Sequence, residues 1–171
     1  MEFFDLYNHL GEPLGKTIER GAKLNSGEFH LVVHIWIRNS KGEYLVQQRN
    51  KLTDTTPFMW AATGGAVTTG ETSLSAAIRE TEEEIGLKLK ESDLKHLNRY
   101  FIENDIASYI TDLYLVEQDV LLNELELDTL EVKQCRYFTM AEIKDMVEQK
   151  QFWDYENLWV RKGYLEIIEK S

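Results

Sequence analysis

The sequence predicts an α/β fold in which helices cover a β-sheet on both faces. The run HLVVHIWIR at residues 30–38 has the β-branched and aromatic content of a buried strand, and EYLVQQR at residues 43–49 follows as a returning strand. A helical period comes at residues 73–85, before the later strands, and another at residues 140–150, after them. Strands placed between helices in this way favour a sheet that is covered on each side.

The elements of the first half of the chain follow from its turn signals. Residues 2–8 and 16–21 flank GEPLG at 11–15, which predicts a short N-terminal β-hairpin. The turn signal SKG at 40–42 separates the two strands of the first sheet pair. Residues 58–63 are expected to form a short strand that leads into a glycine loop. The helix over 73–85 has Thr72 or Ser73 as its N-cap and Gly86 as its C-terminal stop.

The second half continues the alternation of strands and helices. Strands are predicted at 97–101 and 108–119, on either side of a polar turn at 103–105. An acidic connection at 123–130 has no clear period, and a strand at 133–138 precedes helices at 140–150 and 157–170. With 171 residues and no internal repeat, the chain is expected to form one domain, with residues 1–28 as a hairpin extension and 29–171 as the core.

Composition excludes several classes of function. No apolar stretch approaches the ~20 residues of a membrane span, and the N-terminal MEFFDLYNHL lacks the basic region of a signal peptide. A single Cys135 suits a reducing cytoplasm. Acidic residues outnumber basic ones 30 to 19, which gives a net charge of −11. This charge repels nucleic-acid polymers but is compatible with a small phosphorylated substrate that carries its own Mg²⁺.

Three glutamates on the predicted helix form the strongest chemical signal. Glu80, Glu83 and Glu84 are spaced i, i+3 and i+4, so they share one helix face. Their mutual repulsion becomes favourable when a divalent cation lies among them. A solvated acidic helix face is the ordinary alternative, but the glycines at 64, 65 and 70 precede the helix and bring backbone close to an anionic ligand.

The segment GAVTTGETSLSAAIRETEEEIGL at 65–87 resembles the Nudix box of the Nudix hydrolases, which cleave diphosphates of nucleosides linked to a further group. Gly65 is followed after five residues by Glu71, and after seven more by the run Arg79 to Leu87. Every glycine, glutamate and arginine of the pattern is in place. Thr81 is the one departure, at a position that is usually aliphatic, and its hydroxyl is expected to bond back along the helix. The resemblance implies a Nudix fold, an α/β/α sandwich with a mixed β-sheet.

Outside the box, residues 30–49 with Pro57 and Trp60 resemble the isopentenyl-diphosphate isomerases and the hydrolases nearest to them. The isomerases need a cysteine just before the box helix and a nearby metal-site histidine. Aligned through Trp60, these positions hold Gly65 and Val67, while Cys135 belongs to another strand. His30 matches a second metal-site histidine of the isomerases, although a lone histidine more often packs or caps. Hydrolysis is therefore preferred to isomerisation.

The resemblance implies a metal-dependent pyrophosphohydrolase with Mg²⁺ or Mn²⁺ as its cofactor. The expected metal ligands are the Gly64 carbonyl and the three helix glutamates, Glu80, Glu83 and Glu84. Catalysis is assigned to Glu80 and Glu83, with Arg79 holding a glutamate in place. Substrate contacts are expected from Arg49, which can bind a phosphate in bidentate fashion, from Gly65 and from Trp60.

The general base is left open at this stage. Glu80 is one candidate, and the others are acids from more distant segments: Glu103, Asp105, Asp112, Glu126 and Glu131. Asp112 stands out because an acid in an otherwise apolar strand has a partner or faces a cleft. A non-catalytic nucleotide-binding module is the alternative from another functional class, and relatives in the family also suggest a homodimer.

Overall fold

The computed structural model describes residues 1–50, 57–103, 108–154 and 163–171. The N-terminal strands β1 and β2 span Phe3–Tyr7 and Pro13–Glu19. The further strands are β3 (His30–Arg38), β4 (Tyr44–Arg49), β5 (Trp60–Ala61), β6 (Thr63–Ala66), β7 (Leu94–Glu103), β8 (Ser108–Glu117) and β9 (Val132–Phe138). The helices are α1 (Ser73–Ile85), α2 (Met140–Glu148) and α3 (Tyr164–Lys170), and single 3-10 turns occur at Glu91–Asp93 and Leu122–Glu124.

Strands β3 to β9 form one mixed sheet. Its main path is β5-β4-β3-β8-β7, with β6 paired to β3 and β9 paired to β4. Strand β3 lies parallel to β8 over its whole length, from His30 opposite Tyr109 to Arg38 opposite Glu117. The other described pairings in this sheet are antiparallel. The sheet is therefore mixed, as the family resemblance implied.

Helices cover this sheet on both faces, which confirms the predicted α/β/α arrangement. Alternate residues of β3, such as Val33 and Ile35, pack in a cluster with Ala76, Ala77 and Ile85 of α1. On the opposite face, a second cluster contains Trp36 of β3 together with buried residues of both other helices. Its helix members are Met140, Ile143, Val147, Tyr164, Leu165 and Ile168. No helix in the described part of the chain is long and apolar enough to cross a bilayer.

Several predicted boundaries are refined by the structure. The strand expected at 58–63 is two strands, because one edge of β3 is divided between two partners. β4 pairs with the end of β3 at Ile37 and Arg38, whereas β6 pairs with its beginning and middle, from Val32 to Ile35. The strand expected at 97–101 extends over Leu94–Glu103. The first part of the helix expected at 157–170 lies outside the described residues, which contain α3 from Tyr164 onward.

The predicted N-terminal hairpin is confirmed and it packs on the main sheet. β1 and β2 pair antiparallel, with Phe3 opposite Glu19. Phe4 and Leu6 point into the protein and are buried, while Tyr7 forms a backbone bridge with Phe29. The hairpin is thereby fixed beside the loop that precedes α1, where Thr69 N–H donates to the Phe3 carbonyl at 2.8 Å.

Candidate active site

Two glycines of β6 let the glycine loop lie close to both the sheet and helix α1. Gly64 pairs with His34 of β3, and a Cβ at Gly64 would overlap the Val33 carbonyl. A Cβ at Gly65 would overlap the carboxyl group of Glu80 instead. Neither glycine has a positive φ, so their role is close approach rather than an unusual backbone conformation. Gly65 therefore leaves the space that the Glu80 carboxylate occupies.

Helix α1 begins and ends at the predicted residues. Thr72 is the N-cap, and its side chain accepts from the Ser75 N–H while the Ser75 hydroxyl accepts from the Thr72 N–H. Gly86 ends the helix with φ of 71°, a left-handed conformation that favours glycine. The buried Thr81 donates its hydroxyl to the Ala77 carbonyl at 2.7 Å, as predicted for this departure from the family pattern. The caps fix the helix register, and with it the directions of the glutamates.

Arg79 joins three glutamates of the box. Its Nε and Nη2 donate to the two carboxylate oxygens of Glu71 at 2.8 and 3.0 Å, a bidentate pair. Its Nη1 donates to Glu80 at 2.8 Å and to Glu83 at 2.9 Å, and its Nη2 also donates to the Ala66 carbonyl at 3.1 Å. The hydrogen bonds that Arg79 donates to Glu71 raise the pKa of Arg79 further above its usual range. Arg79 thus compensates the charges of Glu71, Glu80 and Glu83, and its bond to the Ala66 carbonyl connects α1 to the glycine loop.

Glu84 is the buried acid of the site. It is 6% exposed, and its carboxylate accepts from the Gln47 side-chain amide at 2.9 Å and from the Gly64 N–H at 3.2 Å. Burial raises its pKa to about 8, while the Gln47 bond opposes this shift and the nearby Glu80 adds to it. Burial also raises the pKa of Glu80, although Arg79 opposes the change. Glu84 therefore accepts hydrogen bonds from uncharged donors, whereas Glu80 is paired with the Arg79 guanidinium.

A cleft of about 430 Å³ lies over these carboxylates. The residues that line it are Glu2, Arg20, Arg49, Gly64, Gly65, Ala66, Arg79, Glu80, Glu83, Glu84, Asp128 and Glu131. The structure thus brings together the residues predicted from the box, namely Gly64, Gly65, Arg79 and the three helix glutamates. It also places the predicted Arg49 in the cleft, where its guanidinium lies 5.1 Å from the centre of the Trp153 ring.

Among the distal acids, the structure brings Glu131 into the cleft. Glu131 is close enough for its charge to raise the pKa of both Glu80 and Glu84. Glu103 lies elsewhere and accepts from the Gly27 N–H, while Glu126 lies beside Gly86 at the end of α1. Asp105 lies outside the described residues. Of the candidates that the structure describes, Glu131 and Glu80 are the ones that line the cleft.

Asp112 has a partner instead of facing the cleft. It is 1% exposed, and Arg99 donates to both of its oxygens, at 2.6 and 2.7 Å. His96 lies 3.2 Å from the same carboxylate. Burial alone would raise the pKa of Asp112, but the hydrogen bonds and charge of Arg99, together with hydrogen bonds from Ser73 and His96, hold the pKa below its usual value. The acid in the apolar strand is therefore the buried member of an ion pair with Arg99.

The structure also locates the remaining predicted residues. Trp60 packs edge-to-face on Phe138, with ring centres 5.1 Å apart, and does not line the cleft. His30 is stacked on Phe4, and burial lowers its pKa to about 4. Cys135 lies opposite Gln47 in the β4–β9 pair, and burial, assisted by Glu84, raises the pKa of its thiol to about 12. The half-buried Cys135 is not among the residues that line the cleft.

Three charged residues of the cleft were not identified from the sequence as site residues. Asp128 comes from the acidic connection, where its N–H donates to the Glu84 carbonyl at 3.0 Å. The only signal for it was the density of acids in NELELDTL. Glu2 and Arg20 come from the N-terminal hairpin, and nothing in their local sequence indicates that the hairpin reaches the box. Gln47 does not line the cleft, but its side-chain amide donates to the Glu84 carboxylate. The sequence feature that could have identified Gln47 is a glutamine within a buried strand.

The donor set fits a hard divalent cation. Glu84 is buried against uncharged donors, and Glu80, Glu83 and the Gly64 carbonyl are oxygen ligands of the kind that Mg²⁺ and Mn²⁺ take. Within the described part of the chain, no three acidic, histidine or cysteine side chains are placed to hold an ion together, and Arg79 bonds both Glu80 and Glu83. These two side chains would have to move for one ion to be bound by all three helix glutamates.

Comparison with known proteins gives a consistent result. The family model of the NUDIX domain matches residues 28–158. A Nudix hydrolase of Listeria monocytogenes is 36% identical over 156 residues, which cover 91% of this chain and 90% of that protein. Nudix hydrolase 3 of Arabidopsis thaliana is 30% identical over 159 residues, which cover 87% of this chain and 21% of the plant protein.

Two solved structures show the same fold. DR0079 of Deinococcus radiodurans matches with a TM-score of 0.75 and 23% identity, over 92% of this chain and 96% of its own. The NUDIX domain of Shewanella oneidensis NrtR, solved in complex with ADP ribose, matches with a TM-score of 0.63 and 13% identity, over 90% of this chain and 92% of its own.

Proposed function

Because the chain belongs to the Nudix hydrolases, a family that acts on nucleoside diphosphate derivatives, we propose that it uses Mg²⁺ or Mn²⁺ to hydrolyse one diphosphate linkage. The substrate is a nucleoside diphosphate derivative or a similar small phosphorylated metabolite. The observation that carries this proposal is the buried Glu84, which lies in a cleft with Glu80 and is bonded by uncharged donors. A carboxylate in such a position is costly unless a cation compensates it.

Four groups would hold the ion: the carboxylates of Glu80, Glu83 and Glu84 and the backbone carbonyl of Gly64. When bound, the ion supplies a Lewis acid that neutralises the diphosphate and lowers the pKa of the attacking water. Arg79 positions two of these ligands through its bonds to Glu80 and Glu83. Gln47 and the Gly64 N–H fix the Glu84 carboxylate in the same way.

The reaction needs a base that accepts the proton of the water as the new P–O bond forms. The bridging P–O bond breaks, and each product leaves with one part of the former diphosphate. Glu80 and Glu131 both line the cleft and interact with each other through their charges. Glu80 is also a proposed ligand, so Glu131 is the base candidate that remains independent of the ion. A Glu131→Gln variant that loses turnover but still binds Mn²⁺ would support this division.

The central experiment measures phosphate release from a panel of nucleoside diphosphate derivatives, with Mg²⁺ and with a chelator. The wild-type protein should turn over at least one compound only when the ion is present. Glu83→Gln removes a ligand that is half exposed, so the variant should fold normally and lose metal-dependent turnover. Unchanged activity in this variant would overturn the assignment. Metal binding without hydrolysis across the panel would instead favour a binding module.

A further inference from the structure

The open end of the N-terminal hairpin reaches the cleft of the proposed active site. Glu2 and Arg20 lie just beyond the paired residues Phe3 and Glu19, and the Arg20 N–H donates to the Glu2 carbonyl at 2.9 Å. The two side chains are therefore direct cross-strand neighbours. Both line the cleft beside the box glutamates. The hairpin thus contributes one acid and one base to a site that otherwise belongs to the core.

The hairpin is held in this position by contacts with the loop before α1. The Asp5 carboxylate accepts from the Gly70 N–H at 2.9 Å, and the Phe3 carbonyl accepts from the Thr69 N–H at 2.8 Å. On the other face of β1, Phe4 is buried and stacks on His30 at 5.3 Å. These contacts fix the backbone of Arg20 relative to the glycine loop, so the guanidinium can move while its attachment stays in place.

The surroundings of Arg20 differ from those of Arg79. Arg79 bonds three glutamates of the box and is two-thirds or more shielded from solvent. Arg20 forms an ion pair with Glu2 at 2.5 Å in which the side chains are 62% and 47% exposed. An ion pair this exposed adds little to stability, so Arg20 can exchange the Glu2 carboxylate for another anion at small cost.

We propose that Arg20 is a substrate-binding residue that contacts the phosphoryl group lying away from the carboxylate cluster, and that Glu2 holds the guanidinium until substrate displaces it. The proposal rests on the proposed function and names a residue that would recognise the diphosphate. The carboxylates that would hold an ion and Arg20 line the same cleft, so together they would select a ligand with two adjacent phosphoryl groups. Guanidinium and phosphate form strong charge-assisted hydrogen bonds.

The test is a calorimetric titration of the full chain with Mg²⁺ and methylenediphosphonate, a diphosphate that cannot be hydrolysed. Arg20→Gln should weaken binding about tenfold, the expected loss for a hydrogen bond to a charged group. Arg20→Lys should bind more tightly than Arg20→Gln but more weakly than wild type, because lysine keeps the positive charge and lacks the planar set of N–H donors of a guanidinium. Glu2→Gln should strengthen binding about threefold, because it removes a competing anion. Lys23→Gln is the matched control: it removes one positive charge from an exposed residue that does not line the cleft, and it should change binding less than about twofold.

Two kinds of result distinguish this proposal from the proposed function. Equal losses in Arg20→Gln and Lys23→Gln, or wild-type protein that does not bind methylenediphosphonate, would overturn the role of Arg20. Absence of turnover on the substrate panel, with the binding order above intact, would overturn hydrolysis and support Arg20. In kinetics on any turned-over substrate, Arg20→Gln should raise KM by the same factor as it weakens binding, with kcat nearly unchanged.

Discussion

Replacing Gly65 with alanine should disable the site while leaving the fold intact. The φ of Gly65 is not positive, so alanine fits the backbone. Its Cβ would come closer than 3.0 Å to the carboxyl carbon and both carboxyl oxygens of Glu80, a separation that real Cβ atoms essentially never show. The side chain of Glu80 must therefore move, and it must leave its position beside Arg79 to do so.

The size of the effect follows from this displacement. The carboxyl group has to withdraw by about 1 Å to reach ordinary contact, and a misplacement of that size at a reacting centre costs roughly 100-fold in rate. A 100-fold loss corresponds to about 2.7 kcal/mol of transition-state stabilisation. Because only the end of a flexible side chain moves, the free energy of unfolding should stay within about 1 kcal/mol of the wild-type value.

The assay compares kcat/KM and thermal unfolding for Gly65→Ala and for its neighbour Gly64→Ala. At Gly64 the added Cβ meets the Val33 carbonyl, which is backbone in the β3–β6 pair and cannot move aside. That variant should lose about 1–3 kcal/mol of stability. A folded Gly65→Ala protein with kcat/KM within a few-fold of wild type would refute the argument that Glu80 needs this space.

Two further predictions concern buried carboxylates. In the presence of a chelator, the free energy of unfolding of the wild-type protein should fall as pH rises from about 4.5 to 8. Glu84 keeps its proton over this range in the folded protein but releases it in the unfolded chain. The free energy of unfolding should change by up to about 1.4 kcal/mol per pH unit. Glu84→Gln should flatten the curve in chemical denaturation measured across this range, and an unchanged slope would contradict the buried-acid assignment. Asp112→Asn should cost about 2 kcal/mol of stability, because it removes the carboxylate that Arg99 bonds twice. At a temperature where the Asp112→Asn variant remains folded, its kcat should match that of wild type. A large loss of kcat would indicate instead that Asp112 acts as the general base.

Local signals determined how much of this molecule was predictable. Helix α1 was predicted with its observed bounds because Thr72 and Gly86 mark its ends chemically. Strand β3 was predicted in full for a similar reason, since its apolar run is bounded by polar residues. The spacing of the three helix glutamates likewise placed them on one face. Each of these predictions depends on residues that are close together in the sequence.

The predictions that fell short depend on distant contacts. The single strand expected at 58–63 became two, because β4 and β6 share one edge of β3 and no local pattern records that division. Asp112 stood out among the candidate bases in the sequence, but the β7–β8 pairing brings Arg99 to Asp112, and it is Glu131 that lines the cleft. Arg20 lies in the cleft because of the way in which the N-terminal hairpin packs on the core. The sequence of the hairpin alone does not specify that packing.

The geometry also explains how six acids can line one cleft. Arg79 neutralises Glu80 and Glu83 through hydrogen bonds, and Glu84 avoids ionisation because burial raises its pKa to about 8. At the proposed site, a divalent cation would displace a proton from Glu84 and would compete with the Arg79 guanidinium for Glu80 and Glu83. Proton release of this kind makes metal affinity increase with pH. An ion that arrives already bound to a diphosphate has an advantage, because the phosphoryl oxygens supply ligands that the acids provide only after they rearrange.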